Sequence, residues 1–343
     1  MVTLAGVRAF ADKRGGDLLM IRRREFIAGL GGAAAVWPLA ARAQQPGKLL
    51  TIGFLGPRGW TDFTTPFLRR LGELGWVEDR NILVEFRWKD GSPEATRAFL
   101  TEFVRLKVDV IHTLTNADAL EAKRATSVIP IVAFVEEPLR TGLVTSLARP
   151  GGNVTGVTDQ VAEAAGKRVG LLREFIPALR RLAIMTGGVT PEDVLQIGEV
   201  QAAAGALGIE VSVLEIRRTE DIALAFDTLK DSAEALYITD SPFIIAPNAE
   251  WITTLALAQR LPTISSLSHW PQAGALMSYG ANVSDVLRRS AEIIDKILRG
   301  AKPADIPVEQ VTRFDLVINR KTARTLGLTV PRTLLVAASE VIE

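Results

Sequence analysis

The chain has 343 residues, of which 48% are hydrophobic and 23% are charged, with two His and no Cys. This length predicts two domains with ample cores, and the lack of Cys excludes disulfides, thiolate metal sites and cysteine nucleophiles. The 40 basic residues nearly balance the 39 acidic ones, and seven basic but only three acidic residues lie within positions 1–43. The remainder is slightly acidic, which excludes the basic surface expected of a nucleic-acid-binding protein.

The N-terminal segment has the three parts of an export signal. Arginines at 22–24 precede a short, weakly apolar stretch at 26–39, and Ala41-Arg42-Ala43 supplies small residues for signal peptidase. The stretch is shorter than the roughly 20 residues that span a bilayer, and the paired arginines resemble a twin-arginine signal. We expect twin-arginine export to the periplasm, cleavage after Ala43 and no membrane span in the mature chain. Residues 1–19 lack apolar periodicity, so we expect translation to begin at Met20.

From Leu49 onward, short apolar runs alternate with amphipathic stretches, which indicates βαβ units and a parallel sheet. The first series predicts strands over 50–55, 82–86, 108–114 and 130–135, and helices over 62–75, 93–106 and 117–126. The segment RPGGNVTGVTD at 149–159 is dense in Gly and Pro, which predicts the first crossing between two lobes.

A second series of alternating elements follows. It predicts strands over 181–185, 210–214, 235–239, 263–265, 275–279 and 315–318, and helices over 192–207, 221–230, 248–259, 283–298 and 321–326. The predicted fold class is α/β, with two similar doubly wound parallel-sheet lobes built in series.

Ligands of such sheets bind beyond the carboxyl ends of the strands, where loops and helix N-termini converge. This rule selects candidate ligand-binding residues at the strand ends of both lobes. In the first lobe they are Arg58, Trp60, Thr115, Asn116 and Glu137, and in the second Thr186, Gly187, Asp240, Ser241 and Tyr279.

Each candidate has a chemical use and a simpler alternative. Backbone N–H groups at Thr115 and Asn116 could hold a ligand carboxylate, although Asn116 could instead only cap the helix. Glu136 or Glu137, and Asp240 in the second lobe, could pair with a ligand ammonium or be solvated loop carboxylates.

The remaining candidates could contact a ligand through its shape and not through its charge. Trp60 and Tyr279 could stack on an apolar or aromatic ligand, and Trp60 could instead only staple its loop. Thr186-Gly187-Gly188 permits close approach of the backbone to a ligand, although Gly after a strand is common.

Motifs for catalysis are missing from the sequence. His112 lies inside an apolar strand and is expected to be a hydrogen-bonded core residue, and His269 is expected in a loop. There is no phosphate-binding loop, no Gly-x-Ser-x-Gly, no His-Glu-x-x-His and no dinucleotide fingerprint. We therefore expect a protein that is not an enzyme, with no catalytic residues, no cofactor and no metal.

Several segments resemble one protein family. They are RRREFIAGLGGAAAVWPLAARAQQP, GLVTSLARPGGNVTGVTD, GALMSYGANVSD, KPADIPVEQVTRFDLVINRKTARTLGLTVP and LLVAASEVIE. In order and spacing, from Ile21 to Glu343, they resemble ABC transporter substrate-binding proteins related to tryptophan-binding lipoproteins. The resemblance implies a type I periplasmic-binding-protein fold with a three-stranded hinge, and ligands such as amino acids or small aromatic or aliphatic carboxylic acids.

Two departures from the family pattern bear on function. Members carry Asp-Pro after the strand that ends here at Val135, and this chain has Glu136-Glu137-Pro138, so Glu137 stands where the family has Asp. The chain also lacks the lipobox Cys, so we expect a soluble protein and not a lipid-anchored one.

The expected function is an extracytoplasmic binding protein that captures a small-molecule solute by hinge closure and hands it to an ABC permease in the inner membrane. We expect a monomer with an export signal at 1–43, lobe 1 at 48–157 plus 282–312, and lobe 2 at 158–281 plus 313–343. Two alternatives stay open, namely a sensory module that presents ligand to a receptor kinase and an exported α/β enzyme. Genes for a permease beside this one would separate transport from sensing.

Overall fold

The computed structural model describes residues 49–57, 64–89, 92–159, 161–188, 190–230, 232–239, 241 and 246–343, with only the backbone of 161–163 and 246. The export signal with its cleavage site, and the candidates Arg58, Trp60 and Asp240, lie outside the described residues. Within the described ranges, no helix has the length and apolar character needed to cross a bilayer.

The first sheet has six parallel strands in the order β11-β5-β4-β3-β1-β2. Its strands are β1 (Leu50–Pro57), β2 (Ile82–Lys89), β3 (Val110–Thr113), β4 (Ile131–Glu136), β5 (Val154–Asp159) and β11 (Glu309–Gln310). Its helices are α1 (Thr64–Glu73), α2 (Pro93–Leu106), α3 (Asn116–Ala125) and α9 (Val283–Leu298). Apolar side chains of α1 and α9, such as Phe67 and Ile294, form one buried cluster, and those of α2 and α3, such as Phe103 and Ala119, form another. The sheet is therefore doubly wound.

The second sheet has seven strands in the order β13-β12-β10-β9-β8-β6-β7. Its strands are β6 (Arg181–Thr186), β7 (Glu210–Glu215), β8 (Ala235–Ile238), β9 (Thr263–Ser265), β10 (Met277–Ala281), β12 (Phe314–Asn319) and β13 (Glu340–Ile342). Its helices are α4 (Val161–Phe175), α5 (Pro191–Ala206), α6 (Asp221–Leu229), α7 (Ala249–Ala258), α8 (His269–Gln272), α10 (Arg320–Thr325) and α11 (Arg332–Ala337). Residues of α4 and α5 form one buried cluster, and residues of α6 and α7 form another. This sheet is doubly wound as well.

The chain passes between the two sheets three times, after β5, after β10 and after β11. Because β10 ends at its crossing and β12 begins at the next one, these two neighbours run antiparallel, in contrast to the other pairs of the sheet. The Asn282 N–H donates to the Arg313 carbonyl at 3.2 Å, and its side-chain amide donates to Asp315, so the second and third crossings are tied together. The predicted α/β class with two doubly wound lobes and a three-stranded hinge is confirmed, whereas the residues predicted to divide the lobes stay a prediction.

Around the first crossing between the sheets, the sequence prediction was wrong in two places. It left 160–180 without an element, where the structure has α4, because Gly166 and Gly170 weaken the helical pattern. It also treated 154–159 as a connecting segment, where the structure has the buried strand β5. At Gly156 a Cβ would lie 1.9 Å from the Ala133 carbonyl oxygen of β4, so glycine here permits close strand pairing and does not mark a turn.

Candidate functional site

The described candidates lie at the carboxyl ends of strands in both sheets, as the strand-end rule predicts. Thr115 and Asn116 follow β3, Glu137 follows β4, Thr186 ends β6, and Tyr279 lies in β10. Gly187 and Ser241 are half-buried just beyond β6 and β8. Asn116 of the first sheet's α3 contacts Glu192 of the second sheet's α5, so these two edges face each other.

The N-terminus of α3 is built around Thr115. The Thr115 hydroxyl accepts a hydrogen bond from the Asp118 N–H at 3.2 Å and donates to its carboxylate at 2.7 Å. Thr115 is therefore the N-cap, and the alternative that Asn116 caps the helix is wrong. Because the first N–H groups of a helix have no acceptor within it, those of Asn116 and Ala117 are suited to bind a carboxylate.

The Asn116 side chain is engaged at both of its polar atoms. Its Nδ2 donates to the Glu136 carbonyl at 3.0 Å and to Glu192 Oε1 at 2.6 Å, while its Oδ1 accepts from the Glu136 N–H at 2.9 Å. Asn116 thus fixes the backbone just before Glu137, and its amide is not the group that would bind a ligand in this conformation.

Glu137 combines three unusual features. Its φ is +45°, a region that costs a non-glycine residue free energy and that often marks functional positions. Its backbone carbonyl accepts from the N–H groups of Arg140 and Thr141, which closes a turn. Its half-buried carboxylate has no hydrogen bond or ion pair with any residue the structure describes. Such a carboxylate is a suitable partner for a ligand ammonium.

A buried ion pair lies next to the start of α3, and it was not predicted from the sequence. Lys89 at the end of β2 lies 2.6 Å from the Asp118 carboxylate, with side-chain exposures of 2% and 0%. Burial raises the pKa of Asp118, whereas the Lys89 ammonium and the hydroxyls of Thr115 and Thr96 favour its ionised form. The pair anchors the first turn of α3. Its partners are 29 positions apart in the sequence, so no local pattern predicts them.

On the second sheet, the loop after β6 leads directly into α5. The buried Thr186 hydroxyl donates to the Gly188 carbonyl at 3.0 Å, which shapes the Gly187-Gly188 turn. Thr190 and Asp193 then form a reciprocal capping box at the start of the helix. Burial raises the pKa of the Asp193 carboxyl, and hydrogen bonds from Thr190 oppose this effect. Glu192 is thereby held half-buried in the first turn, facing Asn116.

Tyr279 is supported by a buried arginine that sequence reasoning also missed. The Tyr279 ring stacks on Phe314 at a centroid distance of 5.7 Å, and its carbonyl accepts from Arg168 Nε at 2.6 Å. Arg168, which is fully buried in α4, also donates to the Tyr237 hydroxyl at 2.6 Å, and Gln196 donates to the same hydroxyl. An arginine among Ala164, Ala165, Val169 and Leu172 was the available sequence sign, but α4 itself was not predicted.

A small polar cavity lies beside the second and third crossings. Its volume is about 50 Å³, which is room for water and not for an amino acid. It is lined by Ser266, Ser268, Gly280, Ala281, Asn282, Val283, Ser284 and Asp315. A Cβ at Gly280 would lie 2.1 Å from the Ser266 carbonyl oxygen, so glycine is required for β10 to pass this close to the β9 loop.

His112 is fully buried and His269 is half-buried, and both imidazoles are neutral at pH 7. His112 lies between Phe54 and Phe67 with its Nδ1 2.7 Å from the Val132 carbonyl, as expected for a core residue. Burial lowers the pKa of His112 to about 4. His269 does not lie in a loop but begins α8, because Trp270 beside it enters the core, and burial lowers the pKa of His269 to about 4 as well.

Because both histidines resist protonation in the folded protein, we expect its free energy of unfolding to fall in mild acid. The unfolded chain protonates each His near its ordinary pKa of about 6.5, whereas the folded protein resists protonation down to about 4. The stabilisation is therefore complete above about pH 6.5 and is lost as the pH falls towards 4. Between about pH 7 and about pH 5 we expect the free energy of unfolding in urea to fall by about 2 kcal/mol for each His. A His269→Gln variant should show only about half of this fall in the free energy of unfolding. An unchanged fall would contradict the lowered pKa of His269.

The sequence profile of the family described as "ABC transporter substrate binding protein" matches residues 63–342. The chain belongs to this family. A tyrosine-binding protein from Clostridioides difficile (strain R20291) is 25% identical over 263 residues, covering 76% of this chain and 75% of the relative.

Two solved structures are also similar to this chain. A domain from Streptococcus pneumonia in complex with L-Trp is 24% identical with a TM-score of 0.79, covering 86% of this chain and all of the other. A ligand-free, open structure of a substrate-binding protein with adhesive properties from Clostridium difficile is 25% identical with a TM-score of 0.65, covering 85% of this chain and 99% of the other. The family expected from the sequence is thus confirmed, and its members are binding proteins.

As a substrate-binding protein of this family, the chain has its candidate residues at both strand edges and not in one pocket of a single sheet. No group of three or more potential metal ligands occurs among the residues the structure describes. The positively charged Arg168 and Lys89 are both buried behind the candidate site, where they fix backbone and helix positions. Among the described candidates, the Asn116 and Ala117 backbone N–H groups, the Glu137 carboxylate and the Tyr279 ring are therefore the groups suited to a solute.

Proposed function

We propose that the chain is exported to the periplasm, captures an amino acid between its two lobes by hinge closure, and hands it to an ABC permease in the inner membrane. The observation that carries the proposal is that Asn116 and Glu192 link the carboxyl-end edges of two separate doubly wound sheets. Ligands of open α/β sheets bind at such edges, and a solute held between two of them is enclosed when they meet. Binding and release are then the whole function, and no catalytic step is needed.

The proposed ligand is an aromatic amino acid. Two similar proteins are described as binding tyrosine and as holding L-Trp. The free N–H groups at the start of α3 suit the ligand carboxylate, and the unpartnered Glu137 carboxylate suits its ammonium. The Tyr279 ring, backed by Phe314, suits an aromatic side chain. Trp60 and Asp240 are proposed as further contacts, as the sequence predicts.

The arrangement of the two sheets agrees with a closed form. The chain superposes better on the L-Trp complex than on the ligand-free, open structure, although identity and coverage are nearly the same in the two comparisons. This difference supports closure around a solute, because a hinge motion changes the overall superposition and leaves each lobe unaltered. For this role we also propose twin-arginine export, cleavage after Ala43 and action as a monomer.

Thermal unfolding in the presence of single solutes tests the proposal. A ligand that binds only the folded state stabilises it by RT ln(1 + [L]/Kd), or about 2.7 kcal/mol at a hundred times Kd. We expect L-tyrosine or L-tryptophan to raise the melting temperature, and sugars, polyamines and inorganic anions to leave it unchanged. If no amino acid shifts the melting of folded protein that mass spectrometry shows to be free of bound solute, the proposal is wrong.

A further inference from the structure

A hydrogen bond between Asn116 and Glu192 joins a helix of the first sheet to a helix of the second. Asn116 begins α3 on the first sheet, and Glu192 lies in the first turn of α5 on the second, with Nδ2 and Oε1 only 2.6 Å apart. A hydrogen bond to an ionised carboxylate is stronger than one between neutral groups. Both residues are half-buried, so water weakens the bond only in part. The donor and the acceptor belong to parts of the molecule that must separate when a cleft between the sheets opens.

The Asn116 amide cannot follow Glu192 when the lobes separate. One of its two N–H groups and its oxygen are held by the Glu136 backbone at 3.0 and 2.9 Å. Glu192 in turn begins a helix whose N-terminus is fixed by the Thr190–Asp193 capping box. Because both partners are anchored to their own lobes, the contact is made when the lobes meet and is broken when they part.

We propose that Glu192 is a closure residue, which holds a measurable fraction of the unliganded protein closed by binding Asn116. It contacts no solute and acts by raising the population of the closed form. A change in that population alters the apparent affinity for every solute by one common factor. The solute part of this proposal rests on the proposed function, whereas the closure of the unliganded protein does not.

The distance between the lobes can be measured cleanly because the chain has no Cys. Val128, in the loop before β4, is 83% exposed, and Leu224, in α6, is 63% exposed. Val128→Cys and Leu224→Cys therefore place one spin label on each lobe with little disturbance. Electron–electron double resonance then gives the distribution of distances in the full chain, first without solute and then with L-tyrosine or L-tryptophan.

Three variants are compared in this background. Glu192→Ala removes the acceptor, and Glu192→Gln keeps an acceptor oxygen without the charge. Glu250→Ala is the matched control, because Glu250 is also an acid in the first turn of a helix on the second sheet but is exposed, with no ion pair or hydrogen bond of its carboxylate to the described residues.

We expect a short-distance population in the unliganded parent and in Glu250→Ala. Glu192→Ala should lose it, and Glu192→Gln should be intermediate. Calorimetric Kd values for Glu192→Ala should rise roughly tenfold. This corresponds to the lower end of the free energy that a hydrogen bond to a charged group contributes. The factor should be the same for L-tyrosine and L-tryptophan.

Several results would overturn the proposal. They are an unliganded parent without a short-distance population, a Glu192→Ala distribution that matches Glu250→Ala, and a loss of affinity that differs between the two amino acids. The last result would mean that Glu192 contacts the solute. If neither amino acid binds, the proposed ligand class is wrong, and the distances in the unliganded protein alone decide whether Glu192 governs closure.

Discussion

Glu137→Gln is expected to weaken the binding of L-tyrosine or L-tryptophan by roughly a hundredfold, since removal of one partner from a buried charged pair costs about 2–5 kcal/mol. The carboxylate of Glu137 is half-buried and has no other partner among the described residues, so a ligand ammonium is its natural counter-ion. Isothermal titration calorimetry of the purified protein measures the change in Kd.

Two controls make this result specific for the ammonium. Analogues without the amino group, such as 3-(4-hydroxyphenyl)propionate and indole-3-propionate, should bind the parent and Glu137→Gln about equally. Glu136→Gln alters the neighbouring carboxylate and should change the affinity much less. If Glu136→Gln causes the larger loss, the ammonium site is at Glu136 and the assignment to Glu137 is wrong.

A glycine at position 137 separates stability from binding. Glu137→Gly relieves the φ of +45°, which is expected to stabilise the fold by about 1 kcal/mol. The same change removes the carboxylate and should reduce affinity as much as Glu137→Gln does. A variant that melts at a higher temperature but binds more weakly would indicate that the strained turn is kept for its function.

Asp118→Asn is expected to lower the free energy of unfolding by about 3–5 kcal/mol, because it leaves the Lys89 ammonium buried beside a neutral amide. The variant also weakens the hydrogen bonds that the Thr115 and Thr96 hydroxyls give to the carboxylate. Urea denaturation monitored by tryptophan fluorescence measures the loss.

The matched control for this ion pair is one on the surface. Glu94→Gln breaks the exposed pair with Arg97 and should leave stability within error of the parent. A double variant, Lys89→Met with Asp118→Leu, removes both buried charges and should recover much of the loss seen in Asp118→Asn. If Asp118→Asn is no less stable than Glu94→Gln, the pair does not anchor α3 as described.

Elements with regular patterns could be predicted from the sequence. The predicted bounds of α2 and α9 agree with the structure, because their apolar residues recur at helical spacing and Ser92 and Asn282 cap their first turns. The helix α4 was missed because its two glycines and Arg168 interrupt its apolar face. That arginine is explained only by partners on other elements, the Tyr279 carbonyl and the Tyr237 hydroxyl.

The sequence predicts which residues lie at the candidate site, but it does not predict which residues they contact. The strand-end rule selects Thr115, Asn116 and Glu137, because it depends only on where parallel strands end. It does not reveal that Asn116 reaches Glu192, which is 76 positions away. It also does not distinguish two adjacent residues that are both good caps, so the role of Thr115 required the structure.

Small-angle X-ray scattering of the purified protein, with and without the amino acid that raises its melting temperature, tests whether the two lobes close around a solute. We expect a smaller radius of gyration with the amino acid bound, because hinge closure brings the two sheets together. Tight binding with an unchanged radius of gyration would contradict it, because the solute would then be held without movement of one lobe towards the other.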